Sequence, residues 1–367
     1  MKLKFLIYIV LFLFSFNSWA QKDSTKFTDN LFGSVTYGSG ILAAHKSSME
    51  YLVKDYYSYF NIEIGTSTYG KRPWETLFRY PSLGVGVYHG TNGNDEILGE
   101  TTAFYGFISS PYHSEKKLSF GYKFSGGLSY LSKKFDIKDN IYNTAIGSNF
   151  NVFINFAFDL KIKLFNEKAF FKTGFGMTHF SNGKIQSPNL GLNFIDWHFT
   201  AAYYLGNQNK KLKKEFPKRD KHTFYLIMAG GAKEDNEPNL GKYFAGNLTL
   251  EYEYAVMKKS SWGLGLDYFF DGVIYDSYKK QNDKEAFAHA GRIGLHLGYV
   301  FNYNKVGFIV QLGRYLKPYY TINGYIYSRI GLRAKLSKHL IANLTMKTHW
   351  AKADIVEFGL GYYFTKK

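Results

Sequence analysis

Short segments in which apolar and polar residues alternate make up most of this chain. About sixteen of them, each of roughly ten residues, lie between residues 31 and 365 and are separated by polar, glycine or lysine turns. Strict alternation predicts strands, because successive side chains of a strand point to opposite faces. After residue 20, no apolar run approaches the eighteen or so residues that a membrane helix needs. The fold class is therefore predicted to be all-β.

Aromatic residues indicate what kind of β protein this is. They account for 19 % of the chain, with 32 Tyr and 34 Phe, although the mean hydropathy is only −0.27. Alternating segments that carry this much aromatic surface are typical of strands with one face toward lipid and the other toward a barrel interior. We therefore expect a transmembrane antiparallel β-barrel of about 14 to 16 strands in the outer membrane.

The connections between the segments support this prediction. Short turns such as Ser337-Lys338 alternate with long loops such as 133–147, as expected when both termini lie on the periplasmic side. Two connections break the rule. The stretch from Asn207 to Arg219 is long and lysine-rich where a short turn is expected, and Trp350 to Lys352 is short where a long loop is expected.

The first twenty residues have the features of an export signal. Lys2 and Lys4 precede an apolar run over residues 5–16, and small residues surround the cleavage position after Ala20. Residues 1–20 are therefore predicted to be a signal peptide, and residues 21–367 a single outer-membrane barrel domain. The chain has no Cys, which excludes a disulfide-stabilised domain and a lipid anchor through Cys.

The net charge suggests the partners of the exported chain. The formal charge is +17, and it remains strongly positive once the signal and its two lysines are removed. An exported cationic protein meets anionic lipids and the phosphates of lipopolysaccharide rather than nucleic acid. We expect outer-membrane lipids and lipopolysaccharide as partners, and neither a metal nor a cofactor.

The stretch 170–205 contains the polar residues that are best suited to catalysis. It reads as two alternating segments around a polar turn, and His179 and Ser181 share one face with Phe175 and Met177. This apolar row is expected to face lipid. Asn193 falls in the apolar row of the following segment, and a turn symmetric about Ser187 would place it opposite Ser181.

These residue types match ester hydrolysis. A Ser hydroxyl becomes a nucleophile when a neighbouring base takes its proton, and the imidazole of His179 lies two residues from Ser181 on the same face. Asn182 and Gly183 in the turn offer donors for an oxyanion. Asn193 is a candidate to orient the imidazole as the third catalytic residue, and Lys184 to bind substrate phosphate.

The hairpin also resembles a known family. The run His179-Phe180-Ser181-Asn182-Gly183, followed by residues 188–193 (PNLGLN), is similar to the lipid A 3-O-deacylases, outer-membrane barrels also described as acyloxyacyl hydrolases. The resemblance implies that His179 is the general base, Ser181 the nucleophile and Asn182 part of the oxyanion site. It also implies removal of an ester-linked 3-hydroxyacyl chain from lipid A. The best-studied branch has a Glu where this chain has Asn193.

Two other functions stay open on the sequence alone. One is a porin or transport barrel in which the hairpin is only an interfacial turn, and the other is an outer-membrane phospholipase with the same Ser-His chemistry. Among other polar residues, Asp196 and His198 are better explained by a network in the barrel interior than by a site. The stretch 89–95 (HGTNGND) has oxygen ligands but not the spacing of a known calcium loop.

Overall fold

A computed structural model describes residues 28–112, 116–216, 218–235, 241–316, 324–350 and 352–366. The predicted signal peptide lies outside these residues. Within them, no helix is both long enough and apolar enough to cross a membrane.

Across the described residues, sixteen antiparallel strands form the fold, which confirms the all-β prediction and the upper end of the predicted strand number. The first eight are β1 (Leu31–Leu42), β2 (Tyr57–Ser67), β3 (Ser82–Thr91), β4 (Glu100–Pro111), β5 (Leu118–Leu131), β6 (Phe150–Leu164), β7 (Ala169–Ser181) and β8 (Leu192–Tyr204). The second eight are β9 (His222–Glu234), β10 (Lys242–Ala255), β11 (Ser260–Asp271), β12 (Gly291–Tyr303), β13 (Val306–Leu316), β14 (Ile326–Lys335), β15 (Leu340–His349) and β16 (Lys352–Lys366).

Short helices lie in the connections. A 3-10 helix spans Ser47–Leu52, and three α-helices follow: α1 (Pro73–Leu77), α2 (Gly272–Lys280) and α3 (Ala286–His289). From the sequence, the segments 75–90 and 286–303 are each expected to be a single strand. Both strands begin later than expected, because the first residues of these segments lie in α1 and α3. Pro73 at the start of α1 has the φ angle that a first helical turn requires.

The sixteen strands close into two barrels rather than one. Strands β1 to β8 pair in sequence, and β1 then pairs with β8, with Ile41 opposite Ile195. Strands β9 to β16 do the same, and Phe358 of β16 pairs with Gly230 of β9. The predicted single barrel over residues 21–367 is therefore wrong. Eight strands suffice for closure around an interior filled by side chains, and the stretch Asn207 to Arg219 is the connection between the two barrels.

Aromatic and charged side chains fill the first barrel. Glu63 accepts hydrogen bonds from Tyr105 at 2.8 Å and from Ser34 at 3.2 Å, and it pairs with Lys123. A cavity within this network has a volume of about 20 Å³, which holds a water molecule but no solute.

An ionic network fills the second barrel. Arg333 binds Glu251 with two hydrogen bonds of 2.9 and 3.0 Å, and Asp267 contacts Arg329 at 2.9 Å and His296 at 2.7 Å. The cavity within it has a volume of about 10 Å³. A cavity of about 90 Å³, lined by Phe32, Phe170 and Lys172 among others, lies at the connecting-segment end of the first barrel, and the middle of each barrel is packed.

The outer faces of both barrels are apolar. Exposed aliphatic and aromatic side chains alternate with buried polar ones along the strands, as in Phe175, Met177, Trp197 and Phe199 of the first barrel and Val310, Leu312, Phe358 and Leu360 of the second. This is the pattern of strands that face hydrocarbon.

The two barrels contact each other at both ends. At the end that carries the connecting segment, Phe78 packs against Tyr303 with ring centroids 3.8 Å apart, and Ser110 lies 3.3 Å from the Tyr303 hydroxyl. At the opposite end, the loop between β7 and β8 contacts β9 and β16. This second contact reaches the residues that the sequence analysis selected.

Candidate active site

The β7–β8 hairpin has a register that differs from the prediction. His179, not Ser181, pairs with Asn193. The hairpin is thus centred on Gln186 instead of Ser187. This shift of one residue in the centre moves the residue opposite Asn193 by two positions, from Ser181 to His179. Because a two-residue change keeps the face, His179, Ser181 and Asn193 still share the alternation of the exposed Phe175 and Met177.

Buried aromatic side chains support the end of the hairpin from inside the barrel. Phe180 and Phe194 are fully buried, and their ring centroids lie 6.0 Å apart. Phe180 also contacts Tyr88 and Phe153. Because these inward residues alternate with His179, Ser181 and Asn193, their packing fixes the backbone that carries the polar side chains.

Three of the selected side chains form a hydrogen-bonded chain. The His179 Nε2 atom lies 2.8 Å from Ser181 Oγ, and the His179 Nδ1 atom lies 2.7 Å from Asn193 Oδ1. With a proton on Nδ1, the imidazole donates to the amide oxygen and accepts from the hydroxyl. Ser181 is only 4 % exposed, whereas His179 and Asn193 are half-buried. This is the arrangement of a nucleophile, a base and an orienting group.

A fourth residue extends the chain. The Asn193 Nδ2 atom lies 3.0 Å from the Nδ1 atom of His45, an exposed residue in the loop after β1. The backbone N–H of Ala43 donates to the Asn193 carbonyl at 2.7 Å, which holds this loop against β8. The sequence analysis missed His45 because 148 residues separate it from Asn193.

The polar groups of Asn182 hydrogen-bond to the loop after Ser181 and to Ser148. The Asn182 side-chain amide donates to Ser148 Oγ and to the Gln186 carbonyl, both at 2.9 Å, and its backbone N–H donates to Asn189 Oδ1 at 3.0 Å. The predicted donors of Asn182 are thus already engaged. Gly183 also has a role in the loop, since its φ of +64° favours glycine; its N–H has no acceptor within the described part of the chain.

Gly191 closes the other side of the loop. Its φ is +78°, and a Cβ atom there would lie 3.0 Å from His179 Cε1 and 3.5 Å from Ser181 Cβ. Its N–H donates to the Ala145 carbonyl at 2.9 Å. A side chain at this position would press on the imidazole.

The second barrel holds the tip of the same loop. The Ser187 N–H donates to Glu234 Oε2 at 2.7 Å, and the Glu234 N–H donates to the Lys184 carbonyl at 3.2 Å. A Cβ atom on Gly183 would meet Val356 of β16 at 2.1 Å. Burial, reinforced by neighbouring Lys233, lowers the pKa of Lys184, the predicted substrate-binding residue. The loop therefore lies between the two barrels, a contact that the sequence analysis missed.

Other polar residues have structural partners. Asp196 accepts from Tyr57 and Tyr59 at 2.9 Å, and His198 bridges Asp196 and Asp159, which agrees with the predicted interior network. In the 89–95 stretch, Asn92 and Asn94 donate to main-chain carbonyls. Among the residues that the structure describes, no group of three His, Cys, Asp or Glu side chains is arranged to hold a metal.

Two family models match the chain, and each match lies within a different barrel. The model for lipid A 3-O-deacylase (PagL) matches residues 58–202, and that for the acyloxyacyl hydrolase C-terminal domain matches residues 222–367. A search of curated proteins finds no match.

Solved structures of outer-membrane proteins are similar to parts of the chain. The outer membrane enzyme PagL is 15 % identical, with 46 % of this chain and 97 % of that chain covered and a TM-score of 0.31. CdiB from Acinetobacter baumannii is 10 % identical, with coverages of 92 % and 60 % and a TM-score of 0.19. A mutant Rh. blastica porin is 8 % identical, with coverages of 91 % and 99 % and a TM-score of 0.21.

Proposed function

We propose that this chain, which belongs to the acyloxyacyl hydrolase family and resides in the outer membrane, removes an ester-linked 3-hydroxyacyl chain from lipid A. The observation that carries the proposal is the hydrogen-bonded chain of Ser181, His179 and Asn193 on the outer face of the first barrel.

The first half of the reaction forms an acyl-enzyme. Ser181 Oγ attacks the carbonyl carbon of the ester while His179 Nε2 takes its proton. Asn193 Oδ1 accepts the Nδ1–H of the resulting imidazolium and keeps the ring oriented. The tetrahedral intermediate then expels the sugar oxygen, which takes the proton from His179 Nε2, and the acyl chain remains on Ser181.

The second half releases the fatty acid. A water molecule gives a proton to His179 Nε2 and attacks the acyl carbonyl, and the second intermediate expels Ser181 Oγ, which regains the proton. The products are a 3-hydroxy fatty acid and lipid A with a free hydroxyl group. No cofactor enters this scheme.

The oxyanion is assigned to the loop after Ser181. The N–H of Gly183 is the donor we propose, because the three amide hydrogens of Asn182 are already donated to Ser148, Gln186 and Asn189. Asn182 then acts by holding the loop in shape, and Gly183 by stabilising the negative charge as it develops.

The outward position of the site suits a lipid substrate. His179 and Ser181 follow Phe175 and Met177 on a strand whose exposed face is apolar. An acyl chain that lies along this face reaches Ser181 from the side, without entering the barrel interior. Lys184 is proposed to meet a phosphate of the lipid A head group near the rim, where its cationic form gains from an anion.

The packed interiors argue against a porin. In the middle of the two barrels the cavities have volumes of only about 20 and 10 Å³, which are too small to pass a solute. An outer-membrane phospholipase remains the second candidate, since the same Ser-His pair would hydrolyse a glycerol ester.

Mass spectrometry of purified lipid A after incubation with the protein in detergent tests the proposal. The wild type is expected to produce a species lighter by one 3-hydroxyacyl chain, and Ser181→Ala to leave lipid A unchanged. A parallel incubation with phospholipid vesicles distinguishes the second candidate. Cleavage of phospholipid with intact lipid A would replace the proposed substrate, and cleavage of lipid A by Ser181→Ala would refute the proposed nucleophile.

A further inference from the structure

Asn193, the neutral third residue of the proposed site, can present its amide in two orientations, and the two have opposite effects on His179. A carboxylate presents an acceptor to the imidazole in either orientation, whereas the Asn193 amide presents oxygen in one orientation and NH2 in the other. With NH2 toward His179, Nδ1 would have to accept, and the proton would sit on Nε2. The imidazole would then have no lone pair for the Ser181 proton.

We infer that His45 is a positioning residue that selects the productive orientation of the Asn193 amide. Its Nδ1 atom lies 3.0 Å from Asn193 Nδ2, while Asn193 Oδ1 lies 2.7 Å from His179 Nδ1. A His45 ring with its proton on Nε2 accepts from the amide NH2 group and so turns the amide oxygen toward His179. This inference rests on the proposed Ser-His mechanism and adds a residue to it.

The loop that carries His45 is anchored on both sides. The Ala43 N–H donates a hydrogen bond to the Asn193 carbonyl, and Met49 and Leu52 of the following 3-10 helix are fully buried. The Met49 N–H also donates to the Lys46 carbonyl at 2.9 Å. His45 itself is exposed and takes no part in the core. Its replacement is therefore expected to change the amide orientation without unfolding the barrel.

In the hydrogen-bonded chain, His45 contacts Asn193 and not Ser181. Its influence on Ser181 therefore passes through Asn193 and His179. Loss of the His45 acceptor removes one hydrogen bond from the productive amide orientation, which corresponds to about a 5- to 10-fold lower population of the active tautomer. The turnover number falls by this factor, whereas KM stays constant, because the substrate contacts are unchanged.

A double-mutant cycle tests the inference. The readouts are the rate constant for labelling of Ser181 by a fluorophosphonate, which reports nucleophile activation independently of the lipid, and lipid A turnover. His45→Ala is expected to lower both by about 5- to 10-fold, and His45→Gln, whose amide oxygen is again an acceptor, to restore most of the loss. In the Asn193→Asp background, His45→Ala is expected to have less than about a twofold effect, since a carboxylate needs no orienting partner.

The outcomes separate this inference from the proposed function. An equal loss from His45→Ala in both backgrounds would overturn the positioning role, as would a loss that appears in KM alone. Ser181-dependent labelling with the predicted cycle but no lipid A hydrolysis would keep the role of His45 and reject the substrate. Absence of Ser181 labelling in the wild type would overturn both.

Discussion

The two barrels have the same strand number and order but differ at the end of their last hairpin. In the first barrel, a loop of ten residues joins β7 to β8, and His179, Ser181 and Asn193 lie on the outer face beside it. In the second, β15 ends at His349 and β16 begins at Lys352. Met346 and Thr348 occupy the outward positions of β15, and His349 faces inward, 2.9 Å from Tyr315.

The comparison of the two barrels indicates that the shared eight-stranded fold does not by itself create the proposed site. Both barrels close, both present an apolar outer face, and both bury ionic groups inside. The first barrel differs because the ten-residue loop after β7 packs beside the outward-facing Ser181 and His179. The second barrel contributes by holding that loop through Glu234 and Val356. We therefore propose that the first barrel carries out catalysis and that the second supports the loop.

The largest effect is expected from the nucleophile. Ser181→Ala should lower lipid A turnover by about 10⁴-fold or more, because Ser181 Oγ is the hydroxyl that bonds His179 Nε2 among the described residues. The matched control is Thr348→Ala, at the corresponding hairpin end of the second barrel, which should retain full turnover. Equal losses in the two variants would remove the functional distinction between the barrels.

The base is expected to come next. His179→Ala should reduce turnover by about 10²- to 10⁴-fold, since Ser181 loses the group that takes its proton. Circular dichroism in detergent should show an unchanged β spectrum, because the side chain lies on the outer face. A variant that keeps wild-type turnover would contradict the assignment of His179 as general base.

Replacement of Glu251, a buried structural residue of the second barrel, should lower stability and leave turnover unchanged. Glu251→Ala leaves the buried Arg333 without its bidentate partner, and loss of one member of such a pair costs about 3–5 kcal/mol in the free energy of unfolding. Urea unfolding in lipid vesicles measures this loss, while turnover of the folded protein at 25 °C should not change. Glu251→Gln, which keeps an acceptor oxygen, should lose less stability. A fall in turnover without a loss of stability would give the second barrel a chemical role.

The smallest effect is expected at the contact between the barrels. Glu234→Ala leaves the Ser187 N–H without its acceptor and loosens the loop, which should lower turnover by about 5- to 10-fold. Glu234→Gln retains an acceptor oxygen and should stay within about twofold of the wild type. If both variants match the wild type, the second barrel does not support the loop.

The sequence predicted the all-β fold and the number of strands well, because alternation is a local property. The sixteen strands equal the upper predicted number, and the shared parity of His179, Ser181 and Asn193 with exposed apolar residues was expected from the same alternation. Barrel closure was not predictable in the same way, since alternation does not determine which strand pairs with β1. The long connection Asn207 to Arg219 was the one signal of a boundary, and it appeared only as an exception to the loop rule.

The missed parts of the site depend on contacts between distant residues. His45 reaches Asn193 from another loop, and Glu234 reaches Ser187 from another barrel. The hairpin register was wrong because it depends on how the loop folds, which Asn182 and Gly191 control through specific bonds and a positive φ. No spacing rule in the sequence reports these interactions.

Mapping of a covalent adduct tests the central claim most directly. The protein is treated with a fluorophosphonate in detergent and digested with trypsin, and the modified peptide is identified by mass spectrometry. The adduct should lie on the peptide Thr173–Lys184 at Ser181, and it should disappear in His179→Ala while persisting in Thr348→Ala. An adduct on a residue of the second barrel, or equal labelling of the Ser181→Ala variant, would contradict the assignment of catalysis to the first barrel.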